Sequence, residues 1–463
     1  MMSGLTLSRV AQHLGLAYTG APTRIAGLAI DSRQVKAGEL FIALPGERSD
    51  GHDFIDAAVS NGAIAALVER PVQTSIPCLQ VANCLAALSE IGRANRELST
   101  SVVVAITGSC GKTTVKNLCR SIFSEAGPTV ATAGNYNNEI GVPLTLARLA
   151  DDTRYAIVEM GATRRGDIAH LCTLARPSIT TVLNAMEAHL EGFGSVADVA
   201  DIKAEIFDGI APAGPGTNRT AILNLDQPWV SLWRSRIAAA KASTLSYSLE
   251  SGADLGVSNL RDHGLAGSSF VLHIKAESHE VRFPLPGRHS VANALAAAAL
   301  ATAAGLSLAQ IVTGLERAQA EAGRLQAEQL ANGKTLIDDS YNANPGSVRA
   351  ALQLLATTPG RSLMILGEML ELGDESPARH AEMGELARSL GVAGFVGVGE
   401  AVRPAVEAFG SAGQWFASRE ALRPQLASLL AGSDTILVKG SRGSAMESVL
   451  SALRETSREA SLC

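Results

Sequence analysis

The stretch from Val102 to Lys116, VVVAITGSCGKTTVK, decides how the chain is read. Its first five residues are apolar and mostly β-branched, which predicts a buried strand. Gly108 and Gly111 then mark a tight turn, and Lys112-Thr113-Thr114 opens a predicted helix. Together these make a phosphate cradle. The glycines let backbone N–H groups face an anion, and the helix N-terminus adds the positive end of its dipole. In such a loop Lys112 reaches the terminal phosphates while the Thr113 hydroxyl ligates Mg²⁺. Position 106 is Ile, so the usual GxxxxGK[ST] spacing shortens to TGSCGKTT at 107–114. The alternative is an ordinary strand–helix turn with a surface lysine. Gly, Lys and two Thr together at the helix start favour nucleoside triphosphate binding.

Composition bounds the rest. A chain of 463 residues is long enough for about three domains, and 46% hydrophobic residues supply several cores. A net charge of −6 argues against a protein held to nucleic acid through phosphate contacts. The six cysteines (78, 84, 110, 119, 172 and 463) include no CxxC pair, which suits free thiols in a reducing compartment. Met1 to Val10 carries no signal-peptide pattern, so the expected location is cytoplasmic. No charged residue lies between Arg288 and Glu316, a span longer than a membrane crossing. It is mostly Ala, however, and Gly305 followed by Leu306-Ser307 predicts one helix ending and another being capped. Two closely packed helices in a core are expected, with no membrane insertion.

In chain order, residues 1–99 predict a unit of their own. It has a helix around Thr6–Leu14, strands at Ile25–Ile30, Leu40–Leu44 and Ile64–Val68, and helices at Phe54–Ser60 and Cys84–Leu98. Asp31-Ser32-Arg33 and the loop 45–53, PGERSDGHD, read either as polar surface loops or as a pocket where an arginine fork grips a diphosphate; spacing alone favours the former. From 100 to about 318, strands and helices alternate, which predicts a mainly parallel sheet. Three asparagines (135, 137 and 138) suit a capped turn or a substrate contact. Glu159 ends an apolar strand, where nucleotide enzymes hold magnesium and where helix-capping glutamates also occur. His189 lies in the loop 184–195 beyond the next strand. Lys203, on a predicted helix, reads as a solvated face residue. No Asn-Lys-x-Asp occurs, so guanine recognition is not supported. A polar stretch at 319–334 leads into a further α/β unit to 463. Its strands at Thr335–Asp338, Leu363–Leu366 and Thr435–Val438 end in the loops DSYNANPGS, GEMLELGD and KGSRGS.

TGSCGKTT, EMGA at 159–162, HLEGFGS at 189–195, the Lys203 helix, GRHSVANALAA at 287–297 and SYNANPGS at 340–347 together resemble the Mur ligases. The likeness extends to DSRQVKAGELFIALPGERSDGHDF at 31–54, so it spans nearly the whole chain. Glu368 stands where the family's GDMxELG stretch has Asp, and Glu321-Ala322-Gly323-Arg324 replaces Pro-Gly-Arg. The Asp-Asn-Pro-Arg motif of diaminopimelate-adding relatives is absent.

The resemblance implies a three-domain α/β fold: 1–99 binding the UDP substrate, a central P-loop ATPase at 100–318, and a Rossmann-like domain at 319–463 taking the incoming dipeptide. It implies ATP and Mg²⁺ as cofactors and an acyl-phosphate route to an amide. The implied small-molecule partners are UDP-N-acetylmuramoyl-tripeptide and D-alanyl-D-alanine, with no nucleic acid and a monomeric chain. By match of motif, the nucleotide residues are Gly108 through Thr114 (Ser109, Cys110, Gly111, Lys112 and Thr113 between them), Asn293 for adenine, Asp339 for the ribose and Arg324 for the phosphates. Thr113, Glu159, His189 and Lys203 are the implied metal residues, Lys203 as a carbamate. Ser32, Arg33, Gly51, His52, Asn135 and Asn138 are the implied UDP-substrate contacts. A folylpolyglutamate-synthase-like enzyme shares the central chemistry but lacks such a first domain.

Overall fold

The computed structural model describes residues 4–46, 49–187, 190–211 and 219–460. They build three sheets, each covered by helices. Near the N-terminus, the strands Leu28–Ala29, Leu40–Ile42, Ala65–Val68 and Cys78–Gln80 pair in parallel and in chain order. The expected strand at Ile25–Ile30 shrinks to two residues, and the short strand at Cys78–Gln80 was not foreseen. The helix Cys84–Leu98 then crosses to the next unit. Gly92 lets it come so close to the helix Gly141–Ala147 that a Cβ there would lie 2.7 Å from Pro143 Cα. Buried Asn95 donates to Leu146 O at 2.8 Å and Leu149 O at 3.0 Å, satisfying carbonyls at that helix's end.

In the central sheet the strand Val102–Thr107 lies between Tyr155–Glu159 and Ile179–Val182. The chain leaves it for the edge strand Thr129–Ala131, returns through Tyr155–Glu159, and then jumps across it to Ile179–Val182. The direction of winding therefore reverses at the strand that feeds the phosphate loop, where doubly wound sheets form a ligand crevice. The sheet is not parallel throughout. Leu255–Asp262, Ser268–Ile274 and Glu277–Phe283 form an antiparallel extension whose alternating, half-polar pattern fits a sheet with one solvated face.

The Ala-rich segment forms two helices, Arg288–Ala303 and Leu308–Glu316, the second capped by Ser307. Both pack on the helix Lys112–Ser124 that follows the phosphate loop. Small residues make this possible: a Cβ on Gly314 would stand 2.4 Å from Ile122 Cα. No described helix is long and apolar enough to cross a membrane. The last sheet has Gln326–Gln329 antiparallel on Thr335–Asp339. The strands Thr435–Lys439, Ser362–Gly367, Gly394–Val398 and Gly413–Phe416 then follow in parallel. The ends of Thr335–Asp339 and Thr435–Lys439 line a cavity shared with the phosphate loop of the central unit.

Candidate active site

Gly111 sets the geometry of the cradle. Its φ of 82° is left-handed, and a Cβ there would meet Asn293 Oδ1 at 2.6 Å. Glycine alone satisfies both conditions. Gly111 caps the helix Lys112–Ser124 without a side chain, which leaves the first N–H groups of the helix free for an anion. Lys112 folds back on its loop, donating to Gly108 O at 2.7 Å and Ser109 O at 3.4 Å. Burial lowers its pKa, partly offset by Glu159.

Asn184, from the loop after Ile179–Val182, holds the cradle in shape. Its Oδ1 accepts from Cys110 N at 2.9 Å, its Nδ2 donates to Cys110 O at 3.1 Å, and its own carbonyl accepts from Ser109 N at 3.1 Å. The sequence reading passed over it, although a polar residue at a strand end beside a phosphate loop was the available signal.

Glu159 is 1% exposed. Its Oε1 accepts from Asn137 Nδ2 at 2.7 Å, and its backbone N–H is held by Thr132 Oγ1 at 3.0 Å. Its Oε2 is buried with no hydrogen-bond partner. An orphaned carboxylate oxygen beside a phosphate loop fits a divalent cation. Thr113 lines the same cavity, its hydroxyl accepting from Arg324 Nη2 at 3.0 Å across the boundary with the C-terminal unit. Lys203 is not a solvated face residue. It is 1% exposed, near the Phe193 ring, and burial together with Lys112 brings its pKa down to about 7. His189 lies outside the described residues.

One cavity of about 1450 Å³ gathers Ser109–Thr114, Asn135, Asn138, Glu159, Lys203, Asn293, Arg324 and Asp339. Asn135 is exposed at its rim. The side chain of Asn138 instead accepts from Ile140 N and Gly141 N, so it caps the next helix. It is Asn137 that reaches the acid. Arg324 lies over the Tyr341 ring, 4.2 Å from its centroid. Asp339 pairs with buried Lys439 at 2.5 Å, directly opposite it in the parallel strand pair, and burial raises its pKa. Lys439 also donates to Asn342 O at 2.9 Å. A lysine closing an apolar strand was the signal for it. The two units touch elsewhere too: Cys110 Sγ lies 3.2 Å from Asn344 Nδ2, and Asn117 Nδ2 donates to Glu321 at 2.9 Å.

Ser32, Arg33, Gly51 and His52 lie apart from this cavity, in the N-terminal unit. The Arg33 side chain is 85% exposed and grips Asp31 through two hydrogen bonds, at 2.9 and 2.8 Å. The guanidinium holds the Asp31 carboxyl well below the usual range. His52 is buried. Its Nδ1 bonds Asp50 at 2.6 Å and its Nε2 accepts from Glu69 N at 2.9 Å, so both ring nitrogens serve the protein itself. Gly51 is required by crowding: a Cβ would lie 2.8 Å from Leu44 N. Ser32 is buried, and its carbonyl accepts from Asn61.

Three family models match: "Mur ligase family, catalytic domain" over residues 24–106, "Mur ligase middle domain" over 106–301, and "Mur ligase, glutamate ligase domain" over 323–442. The chain is 43% identical to the UDP-N-acetylmuramoyl-tripeptide–D-alanyl-D-alanine ligase of Escherichia coli (strain K12), over 98% of this chain and 99% of that one. A crystal structure of MurF from Acinetobacter baumannii superposes with a TM-score of 0.88 at 35% identity, covering 98% of this chain and 99% of that one. The MurF ligase of Thermotoga maritima in complex with ADP gives 0.79 at 27% identity, covering 95% and 99%. With a phosphate cradle at the winding reversal, three family models matched in succession along the chain and a relative matched end to end, the chain belongs to the Mur ligase family.

Proposed function

We propose that this chain is an ATP-dependent amide ligase joining D-alanyl-D-alanine to UDP-N-acetylmuramoyl-tripeptide. The product is the UDP-N-acetylmuramoyl-pentapeptide precursor of peptidoglycan, with ADP and phosphate released, and the work is done in the cytoplasm. The supporting observation is end-to-end identity of 43% with an Escherichia coli ligase of that name. The cavity that collects Lys112, Lys203 and Arg324 around a phosphate loop agrees with it.

Amide formation from a free acid in water needs an activated acyl group. The tripeptide's terminal carboxylate attacks the γ-phosphorus of ATP and ADP leaves, giving an acyl phosphate. The amine of the dipeptide then attacks the acyl carbon, loses its proton, and inorganic phosphate departs. Two anions must meet in the first step, so cationic groups do most of the stabilising. Lys112 turns from Gly108 O to the phosphates, and Arg324 leaves the Thr113 hydroxyl to follow them. Asn293, beside the cradle, reads the adenine, and Asp339, held by Lys439, meets the ribose. Mg²⁺, when bound, neutralises charge between the reacting anions; Thr113 and Glu159 would hold it, joined by His189 and Lys203. Lys203, with a pKa near 7, has neutral amine available to add CO₂ with loss of a proton, and the resulting carbamate is an anion facing the same cleft. In the N-terminal unit Arg33 and Ser32 meet the uridine diphosphate, while Gly51 and His52 shape the neighbouring loop; Asn135 and Asn138 belong to the substrate side of the central unit.

Phosphate release should require ATP, the UDP-tripeptide and D-alanyl-D-alanine together. Release that stays at background with all three present overturns the reading.

A further inference from the structure

Lys116 stands four residues after Lys112 on the same face of the helix Lys112–Ser124, and no step above uses it. Its side chain is 2% exposed. Its Nζ donates to Gly134 O at 3.1 Å and lies 4.0 Å from Glu159 Oε2. That oxygen is the one with no hydrogen-bond partner; the other is taken by Asn137. The Lys116 side chain is therefore the group that faces the oxygen left open for a cation.

The same lysine opposes a metal ion. Lys112, Lys116, Lys203 and Arg324 face the cleft, with Glu159 and Glu321 as the acids near Lys116. Among the described residues, no three His, Cys, Asp or Glu side chains come together to hold a metal. A divalent cation arriving alone meets one free carboxylate oxygen, one hydroxyl and several like charges. Arriving with a polyphosphate, it brings oxygens of the opposite sign.

We propose that Lys116 is a positioning residue that acts through Glu159. Before any cation binds, it stands opposite the free oxygen of Glu159 and holds that side chain in place. By repulsion it then makes cation binding conditional on the nucleotide's phosphates. Its bond to Gly134 O ties the same charge to the loop carrying Asn135 and Asn137. The proposal rests on the cation role given to Glu159 above.

The test is Mn²⁺ binding by the full chain, read by electron paramagnetic resonance or calorimetry. The variants are Lys116→Met, which keeps the stem and loses the charge, and Lys116→Gln, which retains a donor for Gly134. Without nucleotide, both should bind Mn²⁺ about tenfold or more tightly than the unsubstituted chain, because a like charge has gone from beside the ligand. With a non-hydrolysable ATP analogue the gap should shrink to about twofold, since phosphate oxygens then dominate the site. Adding Glu159→Gln should abolish the gain. Unchanged or weaker nucleotide-free affinity in the variants overturns the proposal, and so does a gain that survives Glu159→Gln. If neither variant folds, the unsubstituted chain decides: nucleotide-free binding tighter than about 1 mM contradicts a site closed to lone cations. Ligation by the same unsubstituted preparation reads the reaction assignment separately.

Discussion

At the scale of single residues, the site is built from side chains held by their neighbours. Lys112 needs only a side-chain rotation to move from Gly108 O to a phosphate. Lys112→Ala should therefore leave the fold intact, checked by circular dichroism, and lower kcat by about a hundredfold to a thousandfold, as loss of one preorganised charge-stabilising group does. Thr113→Val keeps the shape of the side chain and removes the oxygen that now accepts from Arg324. The concentration of Mg²⁺ needed for half-maximal rate should rise several-fold, to be read from a magnesium titration at fixed ATP. Lys203 carries a pH signature. Its pKa is brought down to about 7, so as pH falls below that value the ammonium form takes over and CO₂ has less neutral amine to add to. Added bicarbonate should stimulate activity more at pH 6 than at pH 8. Lys203→Ala should lose most activity and regain part of it with short carboxylic acids; full activity in that variant would remove Lys203 from the reaction.

At the scale of elements, what could be read in advance followed the strength of the local pattern. The strand Val102–Thr107 and the helix Cys84–Leu98 stand where apolar periodicity placed them. The chargeless Arg288–Glu316 segment forms the two helices that its internal Gly and Ser announced. The antiparallel strands at Leu255–Phe283 were missed because their faces are half polar, and Gln326–Gln329 because three of its four residues are polar. Spacing alone put Lys203 on a solvated face for a related reason: charge and helical period look alike there and at a buried cleft. Asn184 and Lys439 act through contacts made far along the chain, which spacing cannot reveal. The Ala-rich packing gives a further expectation. Gly314→Val would drive side-chain carbon into the Ile122 backbone. It should cost about 1–3 kcal/mol or more in denaturant unfolding, the usual range for overpacking a tight core. An unchanged unfolding midpoint would mean the two helices can part there.

At the scale of the whole molecule, the groups proposed for the two nucleotide ligands lie in different units. Arg33 is exposed on the first, and Lys112 is half-buried in the second. Arg33→Ala should raise the KM for the UDP-substrate about tenfold, the worth of a charge-assisted contact, while the KM for ATP stays within about twofold. Equal losses for both would point to general destabilisation.

The joint between those two units has a consequence for substrate length. Gly92 seats one helix against Pro143, and Asn95 bolts it to Leu146 and Leu149, so the first unit is fastened to the second by backbone as well as side chains. A fastened joint is a caliper. It fixes the span from the proposed uridine anchor at Arg33 to the phosphate cradle, and the peptide stem of the substrate must bridge that span. An extended residue covers about 3.5 Å, so a stem one residue short leaves its carboxylate about that far from the phosphorus, beyond reach of in-line attack. Asn95→Ala, which loosens the caliper, should narrow the difference in kcat between stems of two and three residues.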